Sequence, residues 1–345
     1  MHRDLASERR KGYVAWAVVC VVWGTTYLGI RIALETIPPA LLGGLRYTAA
    51  GGIMVALQRA RGAAVPWRQS AALALAGVLT IAVGNGLVIW AEQWVASGVA
   101  AVMVATVPFW MAAFEAVLPD GEALAPTIVV GLVLGFAGIV LLVWPDLSRG
   151  HLAANGFLGG VLGLQLACVG WAGGSAMARR NARADEPLTA AALQMLYGGL
   201  AMLAIGTWTG EWSHLAWNGR TIAAEAYLTV FGSIIGYSAY SYALRHLPSA
   251  VVSLYAYANP VFAVVLGALI LGEPLGARVA VSAALVLCGS AVVQARQLSV
   301  LAASVGRGLR RALVPALLLA MASGSASAQQ AAPASQPSLA MASRS

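Results

Sequence analysis

Charged side chains are scarce in this chain, and that scarcity excludes a water-soluble globule. Asp, Glu, Lys and Arg make up 10% of the 345 residues against 60% hydrophobic residues, with a mean hydropathy of +0.78. Too few polar side chains remain to cover a soluble fold of this length, so a bilayer is the expected solvent. Lysine is nearly missing: Lys11, beside Arg10 near the N-terminus, is the only one. A Walker A loop ends in Gly-Lys and is thereby excluded. The four histidines, His2, His151, His214 and His246, lie outside the apolar runs, and none forms the helical HExxH pair of an intramembrane zinc protease. The three cysteines, Cys20, Cys168 and Cys288, lie inside apolar runs without CxxC spacing and read as small buried hydrophobes. No metal, no cofactor and no enzyme activity is expected.

What the chain does have is long apolar runs. Nine are free of charge, at residues 14–30, 69–91, 93–114, 123–145, 152–178, 187–210, 226–244, 247–272 and 279–295, and a tenth at 36–58 is interrupted only by Arg46. Each approaches the roughly 20 residues that a membrane-spanning helix needs. The net charge of +8 does not point to nucleic acid, because the basic residues sit at alternate run ends. Arg3, Arg9, Arg10 and Lys11, then Arg59, Arg61 and Arg68, then Arg179, Arg180 and Arg183, with Arg245 and Arg296, fall on one side; Arg149, Arg220 and Arg278 fall on the other. The positive-inside rule then puts both termini in the cytoplasm of an inner-membrane protein with an even number of spans. The first run has no small-residue cleavage site after it and reads as an uncleaved span.

The sequence also repeats itself. Trp23 aligns with Trp171, Arg46 with Gln194, Gly84 with Gly236, and the stretch around Pro108 with that around Pro260; Gly121-Glu122 aligns with Gly272-Glu273, at a spacing of about 150 residues throughout. Each copy holds five runs, and an odd number sends the second copy into the membrane from the opposite side. The expected fold is therefore an all-α polytopic membrane protein of ten transmembrane helices in two inverted five-helix repeats, residues 12–145 and 152–295, with a cytoplasmic arm at 1–11. Inverted repeats of this kind are common in secondary transporters, where two similar units rock about a central site. A duplicated, non-transporting scaffold or lipid-interacting protein is the alternative. Residues 296–345, with a short apolar run at 312–322 and a Ser-, Ala-, Gln- and Pro-rich end, read as a disordered or interfacial cytoplasmic tail.

Polar groups inside spans are costly and tend to face a cavity or a partner. Trp23, Tyr27 and Arg31 share a face of the first span, with Thr25 and Thr26 beside them; Asn85 and Glu92 share a face of the third; Ser233, Tyr237, Tyr240 and Ser241 line the eighth; Tyr255 and Asn259 line the ninth. Aromatic and hydroxyl groups converging from several helices suit a neutral or zwitterionic organic solute. The candidate binding residues are Trp23, Thr26, Tyr27, Arg46, Asn85, Glu92, Trp171, Gln194, Tyr237, Tyr240, Tyr255 and Asn259. Arg46 could hold a solute carboxylate, pair with Glu35 or Glu92, or snorkel to an interface; Arg31 and Glu115, near span ends, read as snorkelling. Pro108 and Pro260 are expected to interrupt the fourth and ninth spans at matching places. Trp90, Trp94, Trp212 and Trp217, at span ends, read as an interfacial belt. The small-residue faces of the fifth span (Gly131, Gly135, Gly138) and the tenth (Gly289) suit helix packing or a homodimer contact.

The segments WGTTYLGIR, GGLRYTAAG, VGNGLVIWAEQWVASGVAAVMVATVPFW and YANPVFAVVLGALILGEPL resemble the EamA-type branch of the drug/metabolite transporter superfamily, and within it YedA-type inner-membrane proteins. The resemblance covers residues 12–295. It implies ten helices in two inverted repeats and export of small metabolites or amino acids by a secondary mechanism. Two positions depart from the pattern: Ala96 stands where the family usually has proline, and PDGEAL replaces a plainer Gly-Glu turn.

Overall fold

Backbone groups in hydrocarbon have no water to bond, so apolar runs of this kind satisfy themselves as helices. The computed structural model describes residues 2–63, 70–117, 126–148, 156–181, 187–247, 252, 255–273 and 276–293, and all regular structure among them is helical. The first copy comprises α1 (His2–Ala33), α2 (Pro39–Ala60), α3 (Ser70–Gly77), which runs through a π-helical stretch (Val78–Asn85) into α4 (Gly86–Ala91), then α5 (Ser97–Val104), α6 (Val107–Val117) and α7 (Pro126–Ser148). The second comprises α8 (Phe157–Asn181), α9 (Pro187–Trp208), a 3-10 turn (Glu211–His214), α10 (Gly219–Tyr227), a second π stretch (Leu228–Ile235) leading into α11 (Gly236–His246), then α12 (Tyr255–Leu271) and α13 (Ala277–Val293). Among the described residues, seven helical stretches are long and apolar enough to cross a membrane, and three shorter apolar helices, Pro126–Leu142, Tyr255–Leu271 and Ala277–Val292, occupy the fifth, ninth and tenth runs. The tail from residue 294, Glu122 and the PDGEAL turn lie outside the described residues.

Two helices start earlier than their charge-free runs. α1 is helical from His2, so the helix of the first run extends back through the segment read as an arm; Lys11 pairs with Glu8 (2.7 Å), and the Tyr242 hydroxyl donates to Glu8 (2.6 Å). α10 starts at Gly219, where the Asn218 side chain accepts from the Thr221 amide (2.9 Å) in a capping box. A search for uncharged runs cuts that helix at Glu225.

The packing is reciprocal. α2 lies along its counterpart α9, and α7 along its counterpart α13. α1 packs on α11 and α12, and its counterpart α8 packs on α4 and α6. Exchanging the copies maps each of these contacts onto itself or onto another, as a pseudo-two-fold relation requires. The close approaches rest on glycine: a Cβ on Gly51 would lie 2.5 Å from the Leu196 amide nitrogen, and one on Gly199 2.4 Å from that of Thr48. The small-residue faces of α7 and α13 meet each other inside the chain, with Gly289 against Gly131 and Gly135, and Gly138 against Ser282.

The fourth span is broken at Ala105 and Thr106, so Pro108 becomes the second residue of α6, where its missing N–H costs no helical bond. The loosened carbonyls are taken up by side chains. Thr106 donates to the Met103 carbonyl (2.7 Å), joined by the Cys168 thiol (3.7 Å), and Ser290 donates to the Ala105 carbonyl (2.7 Å). Pro260 corrects the expectation of a matching break: it lies inside α12, which continues through it. A second correction is Cys288, which is exposed, whereas Cys20 and Cys168 are buried.

Carboxylates from the second copy cap helices of the first. Glu273 accepts from the Ser97 amide (2.8 Å), the Ser97 hydroxyl (3.0 Å) and the Gly98 amide (3.2 Å), and Glu211 accepts from the Leu41 amide (2.9 Å). Neither α5 nor α2 has a capping side chain of its own, so these carboxylates answer both the unpaired amides and the helix dipole. Ala96, at φ −58° and ψ 144°, already holds the backbone conformation a proline ring would impose.

Heat-unfolding midpoints of the purified chain in detergent test these contacts. Gly51→Ala should destabilise by about 1–3 kcal/mol through overpacking. Gly52→Ala, whose Cβ would meet nothing within 4 Å, should leave stability unchanged or raise it by up to about 1 kcal/mol through helix propensity. Glu273→Ala should cost about 1–3 kcal/mol, the price of leaving buried amides unpaired, and Glu273→Gln should recover part of that loss.

Candidate functional site

Trp23 sits at the centre of the convergent polar residues. Its ring lies 4.9 Å from that of Tyr255 and 5.3 Å from those of Tyr237 and Tyr240, and Tyr240 and Tyr255 are 5.8 Å apart in an edge-on arrangement. Edge-on and tilted rings at these distances are favourable aromatic contacts, and the cluster combines apolar faces with three hydroxyls. Three elements from both copies build it: α1, α11 and the start of α12. Trp23 is held by its indole N–H, which donates to the Gly232 carbonyl (3.0 Å) in the second π stretch. Gly236 makes room for it, since a Cβ there would lie 2.4 Å from the indole nitrogen. Trp171, its counterpart, lies against Gly84, the counterpart of Gly236.

Arg46 reaches the same stretch from α2. Its Nε donates to the Ser233 hydroxyl (2.9 Å), and its guanidinium lies 4.6 Å from the Tyr47 ring centre. Thr26 and the tip of Arg46 both close over Gly232, and Thr26 bonds the Trp23 carbonyl (2.7 Å). Arg46 is buried at 4% exposure, which excludes snorkelling. Neither carboxylate considered as its partner is paired with it: Glu35 pairs with Arg220 (3.1 Å), and both carboxylate oxygens of Glu92 are buried without a hydrogen bond. Two acids face Arg46 electrostatically, Glu92 and Glu225, and the two oxygens of Glu225 are likewise buried and unbonded among the described residues.

Asn85, at the end of the first π stretch, donates to the Thr80 carbonyl (3.0 Å), and its side chain also faces Tyr237. Asn259 is turned back onto the helices: oriented as its neighbours demand, its amide donates to the carbonyls of Tyr255 (3.0 Å) and Cys20 (3.3 Å). One level along α1, Tyr27 is buried facing Glu92, and Arg31 donates to the Glu92 main-chain carbonyl instead of snorkelling. Gln194 stands apart, with its backbone against Gly77 of α3. The structure therefore gathers Trp23, Thr26, Arg46, Asn85, Tyr237, Tyr240 and Tyr255, places Tyr27 and Glu92 beside them, and leaves Trp171 and Gln194 in the other half.

Sequence reading missed Glu225, Tyr47 and Gln165. Gln165 accepts from the Trp110 indole (3.2 Å) and from Thr106 (3.3 Å), tying α8 to the break in the fourth span. Its position among apolar residues of the sixth run was the available signal. A cavity of about 640 Å3 lies elsewhere, lined by apolar side chains that include Leu79, Val83, Leu87, Phe114 and Leu166. Trp90, Trp94, Trp212 and Trp217 are exposed.

Comparison with known proteins agrees with this architecture. The chain matches the EamA-like transporter family twice, over residues 10–144 and 158–295. It is 37% identical over 257 residues to the inner membrane transporter YedA of Escherichia coli (strain K12), covering 74% of this chain and 81% of that one. It is 26% identical over 294 residues to a Salmonella typhimurium protein named "Probable amino-acid metabolite efflux pump", covering 82% and 94%. A solved crystal structure, 22% identical, superposes over 84% of this chain and 99% of its own with a TM-score of 0.57, a likeness of fold alone. With two family copies that together span most of its length, the chain belongs to the EamA-like transporter family.

Proposed function

We propose that the chain is a secondary transporter of the inner membrane that exports small organic metabolites, such as amino acids or related compounds. Ten helices cross the bilayer as two inverted repeats with both termini cytoplasmic, and the copies rock about a site between them. The observation that carries this reading is the meeting of the Trp23, Tyr237, Tyr240 and Tyr255 rings with the buried Arg46 where α1 and α2 of one copy touch the second π stretch, α11 and α12 of the other. Rings accept the apolar part of a solute, and the guanidinium takes a carboxylate with directional, charge-assisted hydrogen bonds. The names carried by the relatives support transport and, for the Salmonella protein, efflux of amino-acid metabolites. A second reading, a lipid-interacting protein without transport, draws on the largely apolar cavity beside Phe114, which suits an acyl chain better than a polar solute.

A resistance and efflux screen with the overexpressed chain, across amino acids and toxic analogues, separates the two; protection against no compound would favour the lipid reading. For a compound so identified, Arg46→Ala in proteoliposomes should weaken the apparent affinity roughly 10–100-fold, the loss of a charged hydrogen-bonding partner worth about 1.5–3 kcal/mol. Tyr237→Ala should reduce transport at unchanged expression. Normal transport by both variants would show that the solute binds elsewhere.

A further inference from the structure

Glu92 is the residue that the proposed solute site leaves unexplained. It follows the span Ala71–Ala91, is 0% exposed, and has two carboxylate oxygens without any hydrogen-bond partner among the described residues. The groups that face it come from three neighbouring elements. Arg31 and Tyr27 approach from α1, Arg46 from α2, and the like-charged Glu273 from beyond α12. Arg31 spends its bond on the main-chain carbonyl of Glu92, and Glu273 is committed to the amides of Ser97 and Gly98. An enclosed carboxylate with no donor is far more costly than a neutral carboxyl, so such a group takes up a proton. Burial first, then the charge of Glu273, raises its pKa above the carboxylate range, against the opposing pull of Arg31 and Arg46.

We propose that Glu92 is a proton-binding site whose occupancy is tied to the opening of the end of the bundle where α1, α4 and α5 meet. In the closed arrangement the carboxyl holds one proton from water. Separation of Arg31 from the Glu92 carbonyl and entry of water let the proton leave. Because the closed form binds the proton more tightly, closure is favoured at low pH and this advantage disappears as the pH rises through the closed-form pKa. Glu225 shares the buried, unbonded oxygens but is partly exposed as a residue and lies within α10, so it is the weaker candidate. The use of this site in driving solute movement rests on the transport reading; its existence does not.

Two measurements on the full chain in liposomes test it without any solute. In infrared spectra recorded through a pH titration, Glu92→Gln should remove a neutral carboxylic-acid carbonyl band, and Glu225→Gln should leave that band in place. For the second, Val95→Cys, at a position of 0% exposure, is placed in a chain with Cys20, Cys168 and Cys288 replaced by alanine and exposed to a membrane-impermeant maleimide. Labelling should rise with pH more steeply with Glu92 than with Glu92→Gln, which carries the same thiol. An unchanged band in Glu92→Gln overturns the proton site, and equal labelling profiles overturn its link to opening. Neither result depends on the efflux screen.

Discussion

Every main-chain amide and carbonyl in the apolar part of this molecule must find its partner within the chain, and the departures from regular helix show where that demand is met by side chains. At the break in the fourth span, the Met103 carbonyl receives Thr106 and Cys168, and the Ala105 carbonyl receives Ser290. At the second π stretch, the Gly232 carbonyl receives Trp23. Some polar residues of the spans are thus occupied with the backbone before any solute arrives. Asn259 and Thr26 belong to this group, since their side chains bond nearby carbonyls. Trp23 serves both ends: its nitrogen fixes the π stretch, and its ring faces three tyrosines.

The duplicated architecture was legible in the sequence because it depends on quantities a sequence carries directly, the spacing of apolar runs and the recurrence of Trp23 and Trp171, or Gly84 and Gly236. The convergence of Trp23, Tyr237, Tyr240 and Tyr255 was legible for the same reason, since each lies on a face fixed by helical periodicity. The π stretches were not, because widening a turn leaves composition unchanged. Glu225 was lost because a search for uncharged segments treats a charge as a boundary, although α10 runs through it from a cap at Asn218. The fate of Arg46 was hidden for a third reason. Its actual surroundings, Ser233 and the Tyr47 ring, combine a residue far away in the chain with an adjacent one, and neither bears a charge that pairing rules would seek.

Comparing the copies separates what both repeat from what only one carries. Features present in both, a tryptophan of the first helix set against a glycine of the third helix of the other copy, and a π stretch in that third helix, are tied to the pseudo-two-fold relation. A solute carries no such symmetry, so the residues that bind it need not repeat. Arg46 stands opposite Gln194 in the alignment, and Tyr237, next to Gly236, stands opposite Asn85 next to Gly84. At these two pairs the charge and the aromatic ring each occur in one copy only, and the counterparts are neutral and less bulky. Rocking motions require similar halves, whereas selective binding requires that they differ. In this chain the repeated Trp23 both packs against Gly236 and centres the aromatic cluster, while the divergent Tyr237 meets it there and the divergent Arg46 bonds Ser233 nearby.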